Sequence, residues 1–348
     1  MKTTVRGFAM GIMALILLLM HTQSYGESGK AAIERMLPGW ANAYVWVDVT
    51  EVEAWEMLPN CSSCGKVWEA ITDMFRYFGI SLERDNAVYG YGGAPFHALR
   101  MVDRWVGFLH MTYDAPTIRR DLNSKSDIQW NSFQVQGRTV PQGHRTYGEI
   151  AFLPNILMIS HAFGTGVWGI NGRTLAPDPD QYPDMAAILA GREGRMIDNP
   201  VMQQGIALAG DDKTLVLVVD FSDQLFQEIE ELFRMYPFAQ GLINIMHPID
   251  GIAGSLKVHR HGMDMHAQFM CETARAAEQL VQVVDTVKSA VGVFAMARER
   301  RAMRLRRYLS HFSIVQKDTL VEMKLNFDPS SFHLVSDIID YADSYSTR

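Results

Sequence analysis

Two stretches of this chain repeat one order of residue types, and the repetition limits the folds open to it. Residues 214–233 (TLVLVVDFSDQLFQEIEELF) form an apolar run that ends at Asp220 and passes through Ser222 into an amphipathic helical pattern. Residues 43–58 (AYVWVDVTEVEAWEML) are a shorter version. Setting Asp48 against Asp220 matches Val47 with Val219, Val49 with Phe221, Thr50 with Ser222, Glu51 with Asp223 and Glu56 with Glu228. Each stretch reads as a strand that runs into a helix, and Thr50-x-x-Glu53 has the form of a capping box.

The elements expected after each stretch come in a similar order. After the first are a helix at 67–78, strands at 87–91 and 105–113, and a helix opened by Asp114-Ala115-Pro116. Strands are expected at 133–140, 146–152 and 155–160, with Gly137, Pro141-Gln142-Gly143 and Pro154 as turns. After the second stretch come a hairpin at 251–261 and 263–271 and a long helix from 272 to about 309. Strands at 312–316 and 320–326 and a last helix from Asp328-Pro329 complete it. The expected fold is α+β: two related lobes from an internal duplication, each an antiparallel or mixed sheet covered by helices. The repeats span 27–170 and 211–348. Between them, 171–210 is a Pro-, Asp- and Gly-rich linker with short helical pieces at 185–189 and after Asp198-Asn199-Pro200.

The N-terminus leads to the expectation of a protein outside the cytosol. Lys2 and Arg6 precede an apolar run over 8–20, and Ser24-Tyr25-Gly26 offers a cleavage site, so residues 1–26 read as a secretory signal peptide. That run is shorter than the roughly 20 residues a membrane span needs. The full chain holds 32 basic and 39 acidic residues, a net charge of −7, and cleavage would remove two basic residues. An acidic exported chain is not expected to bind nucleic acid. The expected location is periplasmic or secreted.

Several clusters could carry chemistry, and each competes with a plainer structural role. Cys61-x-x-Cys64 could be a redox pair, but it follows a helix and Pro59 rather than a strand, and its inner residues are serines. A structural disulfide between Cys61 and Cys64 is the favoured reading, with Cys271 left single; a periplasmic thiol–disulfide protein is the alternative. Gly164-Thr165-Gly166-Val167-Trp168-Gly169 matches G-x-G-x-x-G, yet prolines 177, 179 and 183 stand where the second strand and its acidic residue belong.

His259 and His261, with Met263, Met265 and His266 close by, form a set that copper or zinc could use, giving a metal handler as a further alternative. The competing reading is a solvated hairpin tip with methionines as filler. Arg298, Arg300, Arg301, Arg304, Arg306 and Arg307 crowd one helix end and suit an anionic surface, beside the plain role of complementing the helix dipole. Asp48 and Asp220 are read as turn or cap residues rather than as an acid–base pair. No catalytic or metal-binding residues are assigned, and no cofactor.

The combination of VWVDV–T–E, FGISLERDNAVYGYGG, GEIAFLPNILMIS, IDNPVMQQ and TLVLVVDFS resembles a group of poorly characterised exported bacterial envelope proteins. The resemblance covers about residues 38–340 and rests on structural signals. It implies an envelope protein of tandem α+β repeats and transfers no activity. The resulting expectation is an exported, soluble, non-enzymatic binding or structural component of the envelope, with an unknown protein or envelope component as partner.

Overall fold

The two matched apolar runs become neighbouring strands. The computed structural model describes residues 34–48, 80, 87–94, 96–97, 101–102, 104–125, 128–145, 148–162, 183–210, 213–221, 226–227, 247–259, 262–296 and 311–327. In it, β1 (Ala43–Asp48) pairs antiparallel with β10 (Leu215–Asp220), Ala43 opposite Val219 and Val47 opposite Leu215. Strands apolar on both faces need cover on both sides, and Tyr44, Val45, Val47, Val216 and Val218 are all buried.

The sheet grows outward from this central pair. On the β1 side stand β2 (Ala87–Ala94), β5 (Arg104–Met111), β9 (Ile156–Ala162), β8 (Gly148–Leu153), β7 (Arg138–Arg145) and β6 (Gln129–Val135), in that order. On the β10 side stand β11 (Ile249–His259), β12 (Gly262–Cys271), β14 (Leu320–Phe327) and β13 (Phe312–Lys317). All these neighbours pair antiparallel, giving one sheet of twelve strands. Two short strands, β3 (Phe96–His97) and β4 (Met101–Val102), pair with each other apart from it.

The expected division into two helix-covered lobes is therefore wrong. β1 and β10 would each have left a row of backbone N–H and C=O groups at the edge of a separate sheet. Pairing them satisfies both rows and joins the halves into one layer. The sequence-level repeat is realised as position in that layer, since the two matched strands sit side by side at its centre.

Four described helices lie on the sheet. α1 (Ala115–Lys125) and α4 (Ala274–Met296) cover one face. Between α4 and the sheet, Ala277 and Leu280 of the helix are buried together with Ile249, Cys271 and Val321. The other face carries α2 (Met185–Leu189), a 3-10 turn (Met196–Asp198) and α3 (Pro200–Ala209), along with residues 34–41. Their core includes Leu37, Tyr44, Phe108, Met158, Met202 and Val218. The segment read as a linker thus supplies cover for the sheet. Gly93 shows how close that cover comes: a Cβ there would sit 3.1 Å from Ala41 and 3.2 Å from Leu37.

Two smaller corrections concern the strands between β6 and β9. The expected strand at 133–140 crosses a hairpin turn at Gln136 and Gly137, both at positive φ. Pro141-Gln142-Gly143, expected as a turn, lies inside β7, where Pro141 stands opposite Ser132 of the terminal strand β6. Proline is tolerated close to a sheet edge.

Candidate functional site

The α2–α3 layer stops short of one end of the sheet. Successive side chains on a strand alternate between faces, so the register fixes which residues share the uncovered area beyond α3. One transverse row runs Ser313, Lys324, His266, Ser255; the next runs Val315, Glu322, Gln268 and ends at Ala253, which is already buried in the core with Met202 of α3. Ser313, Val315 and Lys317 on the last strand are exposed, Val315 at 49%. Polar residues stand at this end, where no described helix is laid over the sheet, and an antiparallel sheet can leave one face to water.

Charges on this face are arranged around Glu322. Lys317 Nζ donates to Glu322 Oε1 at 2.9 Å, and Lys324 Nζ lies 3.8 Å from Oε2. The Lys317 hydrogen bond, ahead of burial and the other charges, holds the Glu322 carboxyl below its usual range. Beside it, burial and then the charges of Lys324 and Lys213 push the His266 imidazole down, toward its neutral form. Gln268 Oε1 is buried with no hydrogen-bond partner among the described residues. Among the described residues, lysines 213, 257, 317 and 324 outnumber Asp264 and Glu322 here, although the chain as a whole carries a net charge of −7.

The metal set expected at the β11–β12 hairpin is divided by this geometry. His259, opposite Gly262, shares the open face with Asp264 and His266, and its Nε2 lies 3.3 Å from Asp264 Oδ2. Met263 and Met265 alternate onto the opposite face, the α4 side of the sheet, where Met263 is buried. His261 lies outside the described residues. Among the described residues, no three His, Cys, Asp or Glu side chains gather closely enough to hold a metal ion.

The other sequence candidates fare differently. Cys61, Cys64, the 164–169 glycine run, Thr50, Ser222 and the arginines at 298–307 all lie outside the described residues. Cys271 is buried and free, and burial, then the charge of Asp250, pushes its thiol up to about 11, which leaves it a poor nucleophile. Asp48 and Asp220 stand at opposite ends of the β1–β10 pair. Asp220 Oδ2 accepts a 2.7 Å hydrogen bond from Asn199 Nδ2, which ties β10 to the start of α3.

A second polar pair carries no mark in the sequence. His144 Nδ1 and Glu149 Oε1 meet at 2.9 Å between β7 and β8. Ser160, fully buried, stands opposite Glu149 on β9, and its Oγ has no hydrogen-bond partner among the described residues. Burial outweighs the His144 and Gln142 hydrogen bonds and pushes the Glu149 carboxyl up. His144 and Glu149 are five positions apart, so no helical or strand spacing marks the pair; only the hairpin register brings it together.

No family model matches the chain, and no curated protein matches it. Among solved structures, crystal forms III, I and IV of TP0453 are similar, each at 10% identity, with TM-scores of 0.43, 0.43 and 0.42. They cover 87%, 89% and 87% of this chain, and 96% of that one in each case. A likeness this distant bears on neither ligand nor activity. Among the described residues, no helix is long and apolar enough to cross a membrane.

Proposed function

We propose that the chain is an exported component of the bacterial envelope that binds an acidic protein surface through the open end of its sheet. The observation that carries this reading is the excess of Lys213, Lys257, Lys317 and Lys324 over Asp264 and Glu322 among the described residues of the open face of β11, β12, β14 and β13, within a chain of opposite net charge. Lys317, Lys324 and the exposed Val315 give that face both a cationic rim and an apolar contact. Complementary charge raises association rates and selects partners more than it sets affinity. The signal-like residues 1–26 support export.

The test is crosslinking in intact cells, followed by affinity capture and N-terminal sequencing of the captured chain. The expected result is a chain beginning at Glu27 and joined to an acidic partner, with the complex weakened by salt and by a Val315→Asp/Lys324→Glu double variant. An uncleaved cytosolic chain, or a partner held equally well by the double variant, would overturn the proposal.

A further inference from the structure

At the far end of the sheet, on the face that α1 covers, an open depression of about 450 Å3 lies beside that helix. Its described lining residues are Ala115, Pro116, Arg119, Arg120 and Asn123, with no carboxylate among them. The Arg119 guanidinium lies over the Trp130 ring, with Cζ 4.4 Å from the ring centre. Among the described residues it has no acidic partner. Trp130 Nε1 donates to Asn123 Oδ1 at 2.7 Å, which orients the amide and leaves its Nδ2 donor unspent by that bond. Arg120 lies one residue on, and its Nη2 donates to Thr117 Oγ1 at 3.3 Å. Asp121 Oδ1 lies 3.9 Å from Arg120 Nε.

Trp130 is itself held firmly. Its ring packs on Phe152 at 5.9 Å between centres, and a Cβ added to Gly143 would come within 2.7 Å of it. One rigid ring therefore fixes both a guanidinium and an amide. A stacked guanidinium keeps its planar fork of N–H donors available, and that fork matches the oxygens of phosphate or carboxylate in a two-point contact. Holding the arginine in place beforehand lowers the ordering cost of binding.

We infer that Arg119 and Asn123, ordered by Trp130, form together with Arg120 a binding site for an oxyanion of the phosphate class. The site lies on the opposite face and at the opposite end from the surface proposed above, and it does not depend on that reading. The oxyanion could belong to a soluble phosphate or to a lipid headgroup.

The experiment titrates the purified full chain, by calorimetry, with inorganic phosphate and separately with vesicles. The vesicles are equimolar phosphatidylglycerol and phosphatidylcholine, with pure phosphatidylcholine as the blank. The expected result is binding of at least one anionic probe that weakens about tenfold or more in Arg119→Gln, the size of one charge-assisted hydrogen bond. Arg119→Lys should recover only part of it, because it restores charge without the fork. Arg138→Gln, an exposed arginine on β7, should bind like the parent. Phosphate binding alone identifies a soluble ligand, and vesicle binding with the same variant pattern identifies a headgroup. Circular dichroism melts establish that the variants fold. Absence of binding by both probes, or equal loss in Arg119→Gln and Arg138→Gln, overturns the inference.

Discussion

Asn199 serves α3 and β10 at once: its side-chain oxygen accepts from the backbone N–H groups of Val201 and Met202, at 2.9 and 3.3 Å, while its Nδ2 donates to Asp220 at 2.7 Å. One residue therefore caps the helix and fastens it to the central strand. Pro200 follows at the first helical position, where its missing N–H costs nothing. Asn199→Ala should lower stability by about 1–2 kcal/mol, the upper part of the range for a lost N-cap. Asn199→Asp should keep the cap but set a second carboxylate against Asp220, so its deficit should grow as pH rises through the carboxylate range. Urea denaturation of the three proteins at pH 4 and pH 7 measures both effects, and a pH-independent deficit in Asn199→Asp would count against the pairing.

Gly205 is where α3 meets the sheet most closely. A Cβ at that position would lie 2.4 Å from Val218 Cγ1. Gly205→Ala should therefore cost about 1–3 kcal/mol through overpacking, despite the better helix propensity of alanine. Val218→Ala in the same chain should recover part of that loss, because it removes the atom struck. A double-mutant cycle by chemical denaturation reads the coupling, and strict additivity would show that the two side chains do not meet.

Glu149 makes the pair with His144 pH-sensitive in a defined direction. Its folded-state pKa lies above the ordinary value of 4.5, chiefly through burial. An acid raised in the folded state gives its full stabilisation below the unfolded value and loses it as pH rises through the folded one. The stability of the parent relative to Glu149→Gln should therefore fall as pH increases from below 4.5 through the raised pKa. Denaturation midpoints of both proteins across roughly pH 3.5–7 give the difference directly. A difference that rises with pH would mean that the His144 contact, rather than burial, dominates.

Cys271 should be chemically silent in the native protein. Its thiol is raised from 9.0 to about 11 and lies against the residues under α4. Alkylation by iodoacetamide at pH 8, read site by site by mass spectrometry, should label Cys271 slowly when folded and quickly in denaturant. By the same linkage, its contribution to stability is complete below pH 9 and fades as pH rises toward 11. Fast native labelling would show that this part of the core opens readily.

Local signals located the strands better than their partners. The near-unbroken apolar runs in VWVDV and LVLVVD, the hairpin around Gly262 and the Asn199-Pro200 helix start are written within a few residues of each element, and β1, β10, β11, β12 and α3 lie close to where those signals place them. The bounds of β6 are not legible because QWNSFQV is polar on much of both faces, as a terminal strand can be, so periodicity has little to register. The strand expected at 87–91 continues through Gly92 and Gly93 to the end of β2, where the small residue at 93 lets residues 37–41 lie flat on the sheet. The joining of β1 to β10 is a choice between partners far apart in the chain, and no single strand encodes it. The site was least legible of all. Lys324, His266 and Ser255 are ordinary residues until the register sets them in one row, and Arg119 gains meaning only when Trp130 arrives beneath it.

The central position of β1 also sets an order of events in time. Ala43 must wait for Val219, made roughly 170 residues later, before it has its second neighbour. Until then an apolar strand is held with one side unpaired, which is the condition under which nascent chains associate with one another. A cell making this protein would need to keep that first strand shielded for most of the interval of synthesis. Its yield should accordingly depend on the supply of holding chaperones more than on the stability of the finished sheet.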